Sequence, residues 1–212
     1  MYFMRTQLAI LLTVLIGCSP STSTPGSATS GLPSDADPMR QAQPNIVLLY
    51  ADDAGWVDFG FQDQAASDLA SLTPHIDRIA SEGVICTRAY MSGVVCSPSR
   101  AGMLTGRYQQ RFGHENNIPP GYMDGGMDLE QRTIADRLGD LGYTSGLVGK
   151  WHLGYPRGYQ PRARGFDDFY GLLQGSRSYH PIRNVTPHRV IQRNGEPLPE
   201  EGYVTDRFGD AA

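Results

Sequence analysis

The run Asn45-Ile46-Val47-Leu48-Leu49-Tyr50-Ala51, halted by Asp52-Asp53-Ala54-Gly55, constrains the fold of this chain more than any other feature. The run is continuously apolar up to that stop. Such a run predicts a strand buried on both faces, as in a parallel sheet covered by helices. Downstream, Thr73-Pro74 predicts a helix start, with Ile76, Ile79 and Ala80 on one face and Gly83 as the stop. Val84 to Met91 reads as a second strand and Ser99 to Leu104 as a helix. A further helix is expected over about Leu129–Leu141, ending before Gly142, and Thr144–Val148 reads as a short strand. Strands alternating with helices predict an α/β fold with its chemistry at the C-terminal ends of the strands. Tyr155 to Tyr179, rich in Gly, aromatics and Arg, is expected to be an ordered surface loop that shapes a binding site.

The 212 residues, 40% of them hydrophobic, suffice for the core of one domain. A net charge of −4 argues against nucleic acid as the main partner. The three cysteines, at 18, 86 and 96, are too few and too scattered for a disulfide framework or a metal cluster of their own. Each therefore needs a separate account, and Cys86, inside an expected strand, reads as a small buried hydrophobe.

Cys18 closes an export signal. Arg5 precedes the apolar stretch Leu8–Ile16, and Leu15-Ile16-Gly17-Cys18 resembles the bacterial lipobox, in which cleavage precedes the cysteine and the thiol takes the lipid. The alternative is an ordinary signal peptide with an incidental cysteine. Residues 1–17 are thus expected to be a lipoprotein signal peptide, and residues 18–43 a lipidated Cys18 and flexible Ser/Thr/Pro/Ala-rich tether. Folded structure is expected from Pro44. The expected location is extracytoplasmic, lipid-anchored in a bacterial periplasm or outer membrane.

Two places carry chemistry. Adjacent carboxylates at Asp52 and Asp53 repel unless a cation or strong donors lie nearby; oxygen ligands favour a hard divalent ion, Ca²⁺ or Mg²⁺. An exposed Asp-Asp-x-Gly turn is the equal alternative. Cys96-Ser97-Pro98-Ser99-Arg100 opens a helix, whose N-terminus favours anions, and Arg100 lies one turn beyond Cys96. A cysteine nucleophile of the ordinary kind needs a histidine, and none is supplied locally.

Cys96-x-Pro98-Ser99-Arg100 with Leu104-Thr105-Gly106 closely resembles the first signature of the sulfatase family. Gly142-Tyr143-x-Ser145-x-x-Val148-Gly149-Lys150-Trp151-His152 resembles the second. Pro44–Gly55, Thr73–Asp77 and Arg164–Gly171 match further segments in family order. The resemblance implies an alkaline-phosphatase-like sheet, mostly parallel and sandwiched by helices, with residues 44–212 as the N-terminal part of the catalytic domain. It implies that Cys96 is oxidised to formylglycine by a formylglycine-generating enzyme. One oxygen of the hydrated aldehyde then binds the metal and the other attacks sulfur. On this resemblance Asp52, Asp53 and the modified Cys96 are metal ligands, Arg100 steadies the hydrate, and Lys150 and His152 contact it or the sulfate. The implied reaction is hydrolysis of a sulfuric ester, on a sulfated carbohydrate or an aryl sulfate. A cation, Arg and Lys around one point stabilise the charge that develops as the S–O bond breaks.

Ser176, Arg177 and His180 are weaker candidates for substrate contacts. His75 reads as structural, while His114 lines the cleft or orders a loop. Trp56 and Trp151 pack near the site or stack on substrate. The family's later Asp-Asn metal pair, Lys and His have no counterpart before Ala212, so the fold is expected to be incomplete and the chain to be a poorly soluble fragment without turnover. A phosphoester or phosphonate hydrolase and a non-catalytic lipoprotein remnant are the competing functions.

Overall fold

The computed structural model describes residues 43–65, 67, 68 and 71–212. The signal segment 1–17, the lipidation candidate Cys18 and the tether up to residue 42 lie outside the described residues. The chain divides between Tyr90 and Met91 into two compact units. No described helix is long and apolar enough to cross a membrane.

In the first unit, helix α1 (Pro74–Glu82) forms where expected, with Pro74 in its first turn and Gly83 at its end. Thr73 occupies the cap position, but its hydroxyl does not cap the helix. It accepts the Gly60 N–H at 2.8 Å and donates to Asp77 Oδ1 at 2.9 Å, and Asp77 Oδ1 also accepts the Phe61 N–H. The helix start is thus bonded to the 60–61 turn, where Phe59 and Phe61 stack with centroids 5.9 Å apart.

The two strands expected in this unit are not formed. Residues 45–51 carry no regular structure, and Val47 is 73% exposed. Residues 84–91 likewise form no strand, Val84 and Ile85 are exposed, and so is Cys86, contrary to its expected burial. A strand exists only through a neighbour that takes its N–H and C=O groups. No strand among the described residues pairs with either run. Apolar content alone therefore identified segments with strand chemistry but not their pairing.

The second unit holds a four-stranded sheet of order β1-β2-β3-β4. Strand β1 (Gly146–Lys150) pairs in parallel with β2 (Asp168–Leu172), Gly146 opposite Asp168 and Lys150 opposite Leu172. Strands β3 (Gln192–Arg193) and β4 (Glu196–Pro197) continue it antiparallel. The turn between them places Asn194 at φ 56° and Gly195 at φ 97°, the left-handed pair that a two-residue hairpin requires. The fold is α/β, with both parallel and antiparallel neighbours in this sheet.

Three helices accompany the sheet: α2 (Cys96–Thr105), α3 (Ile134–Gly139) and α4 (Val204–Ala211). Ala101 and Leu104 of α2 enter a core with Met127, Trp151, Leu153, Tyr155, Phe166 and Phe169. Helix α3 starts later than its apolar spacing predicts. Thr133 and Asp136 form a reciprocal capping box that fixes the start at Ile134. Upstream, the carbonyls of Met127, Asp128 and Gln131 are turned toward the buried Arg164 guanidinium, at 2.9, 3.1 and 2.6 Å. Asp128 O also takes the Gln131 N–H at 3.1 Å, so the segment closes as a single turn held by Arg164.

Arg164 also corrects the reading of Tyr155–Tyr179 as a surface loop. Tyr155, Arg164, Phe166 and Phe169 are all buried, and the segment supplies two 3-10 turns and β2. Five-residue strands and single 3-10 turns are too short to leave a period in the sequence.

Arg164→Ala leaves the buried Met127 and Gln131 carbonyls without their guanidinium donor, while Asp128 O keeps the Gln131 N–H. It is expected to destabilise the second unit by roughly 3 kcal/mol or more, read from urea denaturation. Arg164→Lys is expected to recover only part of the loss, because an ammonium lacks the planar fork.

Candidate functional site

Cys96 is the first residue of α2 and half buried. Val95, at the cap position, is extended and offers no capping side chain. The first turn is completed in other ways. Ser97 N–H donates to Asn117 Oδ1 at 2.9 Å, Pro98 has no N–H to satisfy, and Ser99 N–H returns to the Val95 carbonyl. Gly106, at φ 64°, closes the helix with its N–H on the Gly102 carbonyl. Cys96 therefore sits on a short helix fixed at both ends.

The two sequence signatures meet in this unit. Arg100 Nη1 donates to the Lys150 carbonyl at 2.5 Å, and Ser97 Oγ donates to the His152 carbonyl at 2.6 Å. The helix carrying Cys96 and Arg100 is thus bonded directly to the end of β1 that carries Lys150 and His152. Lys150 is the last residue of β1. His152 lies just beyond it at φ 60°, a left-handed conformation that costs a non-glycine residue about 1–2 kcal/mol. Backbone bonding holds it there: His152 N–H donates to the Leu173 carbonyl, while its own carbonyl takes the Ser97 hydroxyl. Non-glycine residues in such conformations concentrate at functional sites.

The buried His152 ring is fixed on two sides. Its Nε2 lies 3.1 Å from the Ile118 carbonyl, an acceptor only, so Nε2 carries the proton and Nδ1 is the basic atom. Against the ring lies Gly175, where a Cβ would come within 2.3 Å of His152 Cε1. Glycine at 175 is thus a steric requirement of this imidazole.

His114 lies in an ordered loop, one of the two roles left open for it. It is buried, with Nε2 2.7 Å from Ser97 Oγ, and burial pushes its pKa below the ordinary histidine value. Ser176 is exposed. Arg177 forms a two-point pair with Glu200, Nη1 to Oε1 at 3.0 Å, and donates to the Arg189 carbonyl. The Arg177 hydrogen bond holds Glu200 below the usual carboxylate range. Its charge is therefore compensated within the chain. His180 is exposed and tilted against Tyr203, with centroids 5.5 Å apart. Trp151 is core, edge-on to Phe166 with its Nε1 on the Tyr159 carbonyl, whereas Trp56 is 43% exposed.

In the first unit, Asp52 and Asp53 are exposed, and Asp53 adopts a left-handed φ of 58°. Two exposed carboxylates present the oxygen-donor chemistry that a hard divalent cation takes, so these residues fit such an ion. Ser97, Asn117 and Gly175 escaped the sequence reading. Ser97 stands at the variable position of its motif, and nothing in Asn117 or Gly175 marks which partner each meets.

Two outcomes are expected of this geometry. Gly175→Ala drives a methyl into the His152 ring and is expected to cost about 1–3 kcal/mol in urea denaturation. Burial disfavours the charged form of His114 in the fold, so the unfolded chain takes up this proton at higher pH than the folded one. The His114 contribution is therefore complete above the unfolded value and is lost as pH falls through the lower folded one. His114→Gln is expected to flatten the decline in urea midpoint from pH 7 to about pH 5.

Comparison with known proteins gives the family. The family model described as Sulfatase matches residues 44–211. Human arylsulfatase G is 41% identical over 133 residues, covering 63% of this chain and 24% of the human protein. Mouse N-acetylgalactosamine-6-sulfatase is 38% identical over 135 residues, covering 60% of this chain and 25% of that protein. The chain thus spans about a quarter of the length of these curated relatives. Among solved structures, Ps i-CgsB in complex with k-i-k-neocarrahexaose superposes with a TM-score of 0.67 at 31% identity, over 74% of this chain and 37% of that one. With its two signatures joined through Ser97 and Arg100, and a family match that runs from Pro44 to Ala211, the chain belongs to the sulfatase family.

Proposed function

We propose that this chain forms the nucleophile-bearing part of a sulfuric ester hydrolase acting on sulfated carbohydrate. The observation that carries the reading is the direct bonding of the Cys96 helix to the Lys150–His152 strand end, through Arg100 and Ser97. Arylsulfatase G and N-acetylgalactosamine-6-sulfatase among the relatives, and the carrageenan oligosaccharide named with Ps i-CgsB, support a sulfated sugar as substrate.

The residues that would hold a divalent cation, Ca²⁺ or Mg²⁺, are Asp52 and Asp53, with an oxygen of the formylglycine made from Cys96. Once bound, the cation would, with the hydrated formylglycine, supply an oxygen nucleophile for sulfur at neutral pH. The chain's own residues do the rest. Arg100, one turn along α2 from Cys96, brings a permanent positive charge to the nucleophile and is held by the Lys150 carbonyl. Lys150 adds an ammonium group that binds sulfate oxygens. His152, with its proton on Nε2 against Ile118, offers Nδ1 as the atom that accepts or returns a proton. Burial of its ring keeps water away from that exchange.

Export and tethering through Cys18 are part of the same proposal, supported by the lipobox-like Leu15–Cys18. Large sulfated polysaccharides lie outside the cell, where a tethered enzyme meets them.

The discriminating assay uses the longest product of the gene, co-expressed with a formylglycine-generating enzyme and given matched aryl sulfate and aryl phosphate esters. Sulfate release at least about tenfold faster than phosphate release, abolished by Cys96→Ala, is expected. Faster phosphate release assigns the chain to phosphoester hydrolysis instead.

A further inference from the structure

The wholly buried Ser97 has no place in the chemistry outlined above, yet two segments converge on it, the 114–117 loop and the strand end at His152. Its hydroxyl lies 2.6 Å from the His152 carbonyl and 2.7 Å from His114 Nε2, and its N–H donates to Asn117 Oδ1 at 2.9 Å. A carbonyl only accepts, so the single hydroxyl proton of Ser97 goes to His152 O. The contact with His114 is then possible in one sense: His114 Nε2–H donates to Ser97 Oγ. This fixes the His114 tautomer, with the proton on Nε2. The same loop returns to the site four residues later, where the Ile118 carbonyl accepts His152 Nε2–H. His114, Asn117 and Ile118 thus hold the start of the Cys96 helix and the His152 ring from one short segment.

We propose that Ser97 and His114 are positioning residues that set the placement of residue 96 relative to His152. The proposal rests on the reading of Cys96 as the reactive position. Their bonds have a definite direction, His114 to Ser97 to the His152 carbonyl, so each loses its function when the other is removed. Residue 96 is covalently attached to Ser97, and His152 is in the strained left-handed conformation whose carbonyl Ser97 holds. Releasing Ser97 therefore loosens both partners at once.

The test needs neither metal nor formylglycine, so it can fail while the sulfatase reading stands. The 212-residue chain is expressed without the modifying enzyme, leaving Cys96 a thiol. Nitrogen-15 NMR of the unaltered chain is expected to show His114 as the neutral Nε2–H tautomer; the Nδ1–H form overturns the proposal. Iodoacetamide labelling is then resolved by peptide, with exposed Cys86 as the internal reference. Ser97→Ala and His114→Phe are each expected to raise the Cys96-to-Cys86 labelling ratio roughly fivefold, the factor that one net hydrogen bond commands. The double variant is expected to rise no further than either single one. An unchanged ratio, or two effects that multiply as independent losses of stability do, overturns the proposal. The tautomer measurement decides it alone should Ser97→Ala fail to fold.

Discussion

A buried hydroxyl group with one proton organises this site. Ser97 Oγ gives that proton to the His152 carbonyl and accepts one from His114, while its backbone N–H is taken by Asn117. Buried polar groups left without partners are costly, so these bonds hold together or are lost together. Through them a helix N-terminus, a strand end and a loop share one geometry. Arg100 adds a charged bond between the same helix and strand, on the Lys150 carbonyl. Residue 96 inherits its position from this arrangement.

A second buried cation holds the frame around it. Arg164 gathers the carbonyls of Met127, Asp128 and Gln131, while its own carbonyl takes the Thr133 hydroxyl at 2.8 Å. The start of α3, the 127–131 turn and the approach to β2 are thereby joined. Desolvation lowers the Arg164 pKa, and the nearby Asp136 and Asp128 charges oppose that shift. Since β2 pairs with β1 along its length, the order imposed by Arg164 extends to the strand that presents Lys150 and His152.

Much of the site was legible because its chemistry is written in side chains. The Cys96–Arg100 and Lys150–His152 motifs identify the family without reference to packing, and α1 and α2 follow from Pro74, Gly83 and the run before Gly106. The apolar runs at 45–51 and 84–91 have the composition of strands, but pairing is a property of two segments and neither run has a described partner strand. Tyr155–Tyr179 reads as an ordered surface loop because it is rich in Gly, aromatics and Arg without clear periodicity. Arg164 turned out to be buried by three carbonyls, a circumstance no local pattern encodes. Ser97, Asn117 and Gly175 share this character: each is defined by what it meets across the fold.

The account stands on Cys96 being the precursor of the nucleophile. Mass spectrometry of the peptide containing residue 96, after co-expression with a formylglycine-generating enzyme, tests this most directly. Conversion of the cysteine lowers the peptide mass by about 18 Da, the outcome the account predicts. A thiol that stays unmodified under those conditions contradicts it and leaves a chain that keeps the sulfatase framework without its chemistry.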